Sequence, residues 1–178
     1  MMRKFLDGLY NTSGLLAAAF IALIAILMIG QSILREFGVR TGAVNDVVAW
    51  CCAAGSFFAM SHAFKHGDFV RVTLLLEKMN PKWRRIFELI SLSVAIVSVS
   101  YLAYWANLFT YQSFIFDERA QGLLPIPIWI PQSSFAMSSV ILLIAVVDEW
   151  FIVFSGSRPT YVVSVEERHA QGDFSSDV

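Results

Sequence analysis

Charge is scarce in this chain, and where it is missing decides most of what the protein can be. Asp, Glu, Lys and Arg make up 15% of the 178 residues, against about 25% in soluble domains, while 57% of residues are hydrophobic. That balance excludes an ordinary soluble enzyme. Cysteine is limited to Cys51 and Cys52, adjacent and inside an apolar run. Thiol redox chemistry needs spaced, water-accessible sulfurs, so these two read as small packing residues. Histidine is limited to His62, His66 and His169. His62 and His66 share a helix face, but two ligands make neither a metal site nor a haem site, and no cofactor is expected. With a formal net charge of −1, the chain has no electrostatic footprint for nucleic acid.

What is present is apolar length. Four stretches, Ser13 to Leu34, Val44 to Phe64, Ile86 to Gln112 and Ile128 to Phe154, are each long enough to cross a bilayer core about 30 Å thick as a helix. The loops and tail between and after them are too short to bury a separate soluble core. The expected fold is therefore all-α and integral to the membrane, one domain of four transmembrane helices. The first stretch runs unbroken from Leu15 to Gly30, longer than the apolar region of a cleaved signal, so it reads as an anchor that stays.

Orientation follows from Lys and Arg. The N-terminus, second loop and tail carry 10 of the 13, and the other two loops carry 3. By the positive-inside rule both termini are cytoplasmic. The second loop, with Lys65, Arg71, Lys78, Lys82, Arg84 and Arg85, dominates that balance. Its apolar residues alternate with charged ones over 68–79, which suits a short helix lying in the interface before Pro81 opens the third span. The tail from Ser155 is polar and mixed in charge and reads as disordered.

No ionisable residue lies near the middle of any span. A carrier that couples to protons or cations needs one there, because only function repays its cost in hydrocarbon. Asp46, Glu88, Asp148 and Glu149 all fall near predicted span ends. Asp148 is expected either to pair with Arg84 or Arg85 at the start of the third span, or to reach water directly. Lys82, Arg84 and Arg85 also suit anionic lipid headgroups. Cys51, Gly55, Ala59 and Ala63 recur at steps of four and form a ridge of small side chains. Such a ridge permits close helix contact, within the chain or with a partner. Trp83, Trp129 and Trp150 fall near span ends, whereas Trp50 and Trp105 lie deeper and suit helix contacts.

Two segments carry a family resemblance. Lys65-His66-Gly67-Asp68-Phe69-Val70-Arg71-Val72 follows the second span, and Leu123-Leu124-Pro125-Ile126-Pro127-Ile128-Trp129-Ile130-Pro131 precedes the fourth. With the order of spans, they resemble the small membrane subunit of the TRAP transporters, the tripartite ATP-independent periplasmic transporters of bacteria and archaea. The family's usual histidine is Phe69 here, its usual aspartate is Thr73, and its acidic patch at the second span is reduced to Asn45-Asp46. The resemblance implies a subunit of the bacterial inner membrane without a transport site of its own. It would bind a large membrane subunit that moves an organic acid with sodium, delivered by a periplasmic substrate-binding protein. It also implies a periplasmic surface around Arg35, Arg40, Asp117 and Glu118. The competing classes are a four-span accessory subunit of another membrane complex and a small independent carrier or membrane enzyme.

Overall fold

Residues 2–67 and 80–170 are described by a computed structural model. Within them the chain forms α1 (Met2–Glu36), α2 (Gly42–His66), α3 (Pro81–Ile115), α4 (Trp129–Phe154) and α5 (Thr160–Ala170). Four of these, Leu6–Glu36 within α1, α2, Lys82–Ile115 within α3, and α4, are long and apolar enough to cross a membrane. The protein is an all-α, four-span membrane protein. The expected interfacial helix at 68–79 lies outside the described residues.

The spans stand in a row rather than a closed bundle. α1 packs on α2, α2 on α4 and α4 on α3, while α1 meets α4 only slightly. Across the most apolar stretch of each span, 44% of α4 and 28% of α2 are buried, against 11% in α1 and in α3. α2 and α4 are thus the inner helices and α1 and α3 the flanks. Membrane helices tolerate this, since hydrocarbon does not penalise an apolar outer face as water would.

Two cores hold the row together. Tyr10, Ala17, Ala54, Phe58, Ile141 and Ala145 knit α1, α2 and α4. On the other side of α4, Leu142, Val146 and Val153 pack with Leu92 of α3. Polar groups reinforce both seams. Ser13 Oγ donates to the Phe58 carbonyl at 2.6 Å and lies 2.9 Å from Ser61 Oγ, joining α1 to α2. Trp150 Nε1 donates to Ser93 Oγ at 3.1 Å, joining α4 to α3. Trp150 is therefore a helix contact as well as a residue near a span end.

Small side chains set the closest approach of α1 and α2. A Cβ on Gly55 would lie 3.3 Å from Phe20 Cβ and 3.7 Å from the Ala17 carbonyl oxygen. The backbones can come this near only because that Cβ is missing.

The tail differs from expectation. Thr160–Ala170 is helical rather than disordered, and Tyr161 within it is buried. Tyr161 and Val165, one turn apart, put the apolar part of a polar segment against the end of α2. There Gly67 adopts a left-handed φ of 79° and closes the helix. A side chain on Gly67 would meet both the Tyr161 carbonyl oxygen and Val165 at 2.7 Å. Apolar packing at i, i+4 thus orders a segment whose overall composition is that of a coil.

Candidate functional site

At the end of the row where α1 begins and α5 packs, the inner helices bury an ion cluster. Lys65, in the last turn of α2, binds Asp148 and also donates to Glu149 Oε1 at 2.8 Å. Glu149 has no exposed surface, and its second oxygen accepts the backbone N–H of Thr160 at 3.0 Å. The ammonium of Lys65 lies 5.1 Å from the centre of the buried Tyr10 ring, within cation–π range. Residues of α1, α2, α4 and the start of α5 therefore meet around one cation. An isolated carboxylate could not remain there, whereas one with both oxygens satisfied can.

This cluster corrects the expected pairing of Asp148 with Arg84 or Arg85. At that height the neighbour of α4 on its Asp148 side is the last turn of α2, and Lys65 points along α2's buried face. Arg84 instead bonds Glu88 one turn along its own helix at 3.3 Å. Arg85 does reach α4, but Nη2 donates to the Phe154 carbonyl at 2.6 Å and so caps the helix end. Arg168 of α5 does the same for α2, donating from Nη2 to the His66 carbonyl at 2.5 Å. Lys82 is exposed beside Trp83, an arrangement compatible with a headgroup layer.

Lys65 and Glu149 were not singled out from the sequence as partners, yet a signal exists. Cys51, Ala54, Phe58, Ser61 and Lys65 are all buried, spaced three and four apart. On α4, Ser138, Leu142, Ala145, Glu149 and Val153 form a similar stripe. Each ionic residue is the polar continuation of an otherwise small or apolar buried stripe. The two histidines also have structural contacts. Their rings stack at 4.0 Å, His62 Nδ1 lies 3.3 Å from the Tyr10 carbonyl oxygen, and His66 Nδ1 lies 2.9 Å from that of His62.

The small-residue ridge turns inward. Cys51 and Gly55 are buried, Gly55 faces α1, and Ala59 packs on the core shared by α1, α2 and α4. Ala63 and Trp50 are half-buried on the same helix. Trp105 lies on the outer face of α3 with Tyr101, Tyr104 and Phe109, its ring centre 5.5–6.1 Å from theirs.

At the opposite end the connections form a collar. Asp46 Oδ2 accepts the Leu123 N–H at 2.9 Å, fastening the α3–α4 connection to the start of α2. Asn45 beside it receives the side-chain amide of Gln31 from α1 at 3.1 Å. Within the α3–α4 connection, Ala120 donates to the Ile126 carbonyl and Ile128 to that of Glu118, both at 2.9 Å, closing a small hairpin around an Arg119–Pro127 bridge. Asp117 turns this loop at a φ of 45°. Arg35, Arg40, Asp117 and Glu118 are all exposed on this end. Glu118 also receives Ser113 Oγ at 2.9 Å, and no ion pair joins these acids to Arg35 or Arg40 among the described residues.

A row of four spans, uncharged through its middle and fastened at both ends, defines a multi-pass membrane component. Residues 24–155 match the model of the family described as tripartite ATP-independent periplasmic transporters, DctQ component. The chain belongs to this family of transporter components. No curated protein matches the chain.

Proposed function

We propose that this chain is the small permease subunit of a TRAP transporter in a bacterial inner membrane. Its work is structural: it binds and steadies the large membrane subunit, which moves an organic acid with sodium. A periplasmic binding protein delivers the solute. The basic end, with both termini and the Lys65 cluster, faces the cytoplasm, and the collar bearing Arg35, Arg40, Asp117 and Glu118 faces the periplasm.

The observation that carries this reading is how the charges are distributed. Every Asp, Glu, Lys and Arg of the four spans lies near an end, and the buried ones are bound to one another rather than set around an open path. A subunit that does not itself move an ion has no use for charge at mid-membrane. The row shape adds to this, because each flanking helix keeps a long apolar face free for lipid or another subunit.

The test is uptake by reconstituted vesicles. The chain with its large subunit, binding protein and a sodium gradient should accumulate the acid, and omission of the chain should abolish accumulation. Uptake by this chain alone would overturn the scaffold reading.

A further inference from the structure

One flank of α3 carries hydrogen-bonding groups where lipid cannot satisfy them. Val97, Ser100, Tyr104, Asn107, Tyr111 and Phe114 follow one another at steps of three and four, the spacing of a seam against a second helix. Within this seam Val97, Tyr104, Asn107, Tyr111 and Phe114 are exposed. Ser100, Tyr104, Asn107 and Tyr111 of this flank, with Leu143 of α4 as part of the far wall, line a shallow, open groove of about 500 Å3.

The depth of two of these residues is informative. Along the helix axis Tyr104 lies about 8 Å and Asn107 about 12 Å from the middle of the span, inside a half-core of about 15 Å. Asn107 Nδ2 donates to the Ala103 carbonyl at 2.8 Å, which leaves its second amide hydrogen and its carbonyl oxygen unused. The Tyr104 hydroxyl has no hydrogen bond among the described residues. Acyl chains offer neither donor nor acceptor, so an exposed amide at this depth, with a phenol one turn away, gains from a hydrogen-bonding side chain of protein.

We infer that the Ser100–Tyr111 seam of α3 is where a transmembrane helix of the large subunit docks, presenting a hydrogen-bonding side chain to Tyr104 and Asn107. This rests on the subunit reading above and adds the contact face to it. The seam lies in the half of α3 away from the basic end, where the segments 68–79 and 171–178 join the described chain, so its occupant is sought in the large subunit rather than in these segments. The 4-3-4 spacing fits one helix lying in the groove. α1 offers no equivalent, since its outer face is built from Leu15, Ile21, Ile26, Ile29 and Ile33, which lipid tails satisfy.

The experiment co-expresses the full chain with the large subunit and places a photoreactive residue at one of two positions, Tyr104→benzoylphenylalanine or Ile26→benzoylphenylalanine. The expected result is an adduct of both subunits from position 104 and none from position 26. An adduct from position 26 alone overturns the seam while leaving the subunit reading intact. An adduct of two copies of this chain from position 104 overturns it in favour of self-association. No adduct from either position overturns the seam, and loss of co-purification by the unmodified pair overturns the subunit reading as well. In parallel, Asn107→Leu should lower the co-purified large subunit about fivefold, the size of one interhelical hydrogen bond in lipid, with the yield of this chain unchanged and Asn107→Gln restoring the complex. Unaltered co-purification by Asn107→Leu would overturn the role given to the amide.

Discussion

Lys65 donates to Glu149 at 2.8 Å with the lysine side chain almost wholly and the glutamate wholly removed from solvent. Lys65 also holds Asp148, so one cation serves two carboxylates from adjacent positions of α4. Removing the cation leaves both acids uncompensated. Lys65→Met is expected to destabilise the protein by about 3–5 kcal/mol, the usual cost of orphaning a buried charge. Thermal unfolding in lipid nanodiscs measures this, and an unchanged midpoint would show that water already reaches the cluster.

The choice of partner for Asp148 is open to a double-mutant cycle. Lys65 and Asp148 should couple by at least about 1 kcal/mol, whereas Arg85 and Asp148 should behave additively within about 0.5 kcal/mol. Equal coupling in the two cycles would return Arg85 to the cluster.

Gly55 marks a close contact of α2 with α1. Gly55→Val places branched carbon where Phe20 Cβ already limits the space, and an overpacked contact typically costs about 1–3 kcal/mol. Cys52→Ala, on the exposed side of the same helix, should change little. A Gly55→Val protein as stable as its parent would mean that the helices separate without penalty.

Asp46 should control the mobility of the α3–α4 connection. Asp46→Ala removes the acceptor of the Leu123 N–H, and Asp46→Asn retains an oxygen at the same place. Loss of a bond worth about 1 kcal/mol predicts roughly fivefold faster hydrogen exchange at the Leu123 amide in Asp46→Ala. The asparagine variant should stay close to the parent rate.

Tyr161 decides whether the last helix stays docked. Tyr161→Ala deletes a buried ring that contacts Phe64, with ring centres 6.2 Å apart. Trypsin should then cut after Arg168 several times faster, while cleavage elsewhere is unaffected. Equal rates in the two proteins would place the holding force outside Tyr161.

Span number and type were legible because length and hydropathy act locally, and each apolar stretch must be a helix to satisfy its own backbone. The segments 65–72 and 123–131 also carried the family. The order of the helices in the row was not legible, since Ala17, Ala54 and Ile141 look like any other apolar residues until they meet. Lys65 illustrates the same limit more sharply. Counted as a loop charge it pointed to water or lipid, but its position seven residues after Phe58 and four after Ser61, on the buried stripe of α2, turns it inward. The helix at 160–170 was concealed by averaging, because two apolar residues one turn apart hardly alter the composition of a polar tail.

The bond from the Thr160 amide to Glu149 also bears on how the protein is made. Synthesis runs from the N-terminus, so Glu149 enters the membrane before the residue that satisfies its second oxygen has left the ribosome. Until Thr160 arrives, the nascent chain holds a half-satisfied acid at the membrane edge. The final helix therefore completes the cluster from outside the membrane: a polypeptide interrupted before residue 160 has all four spans but leaves one oxygen of Glu149 without its partner.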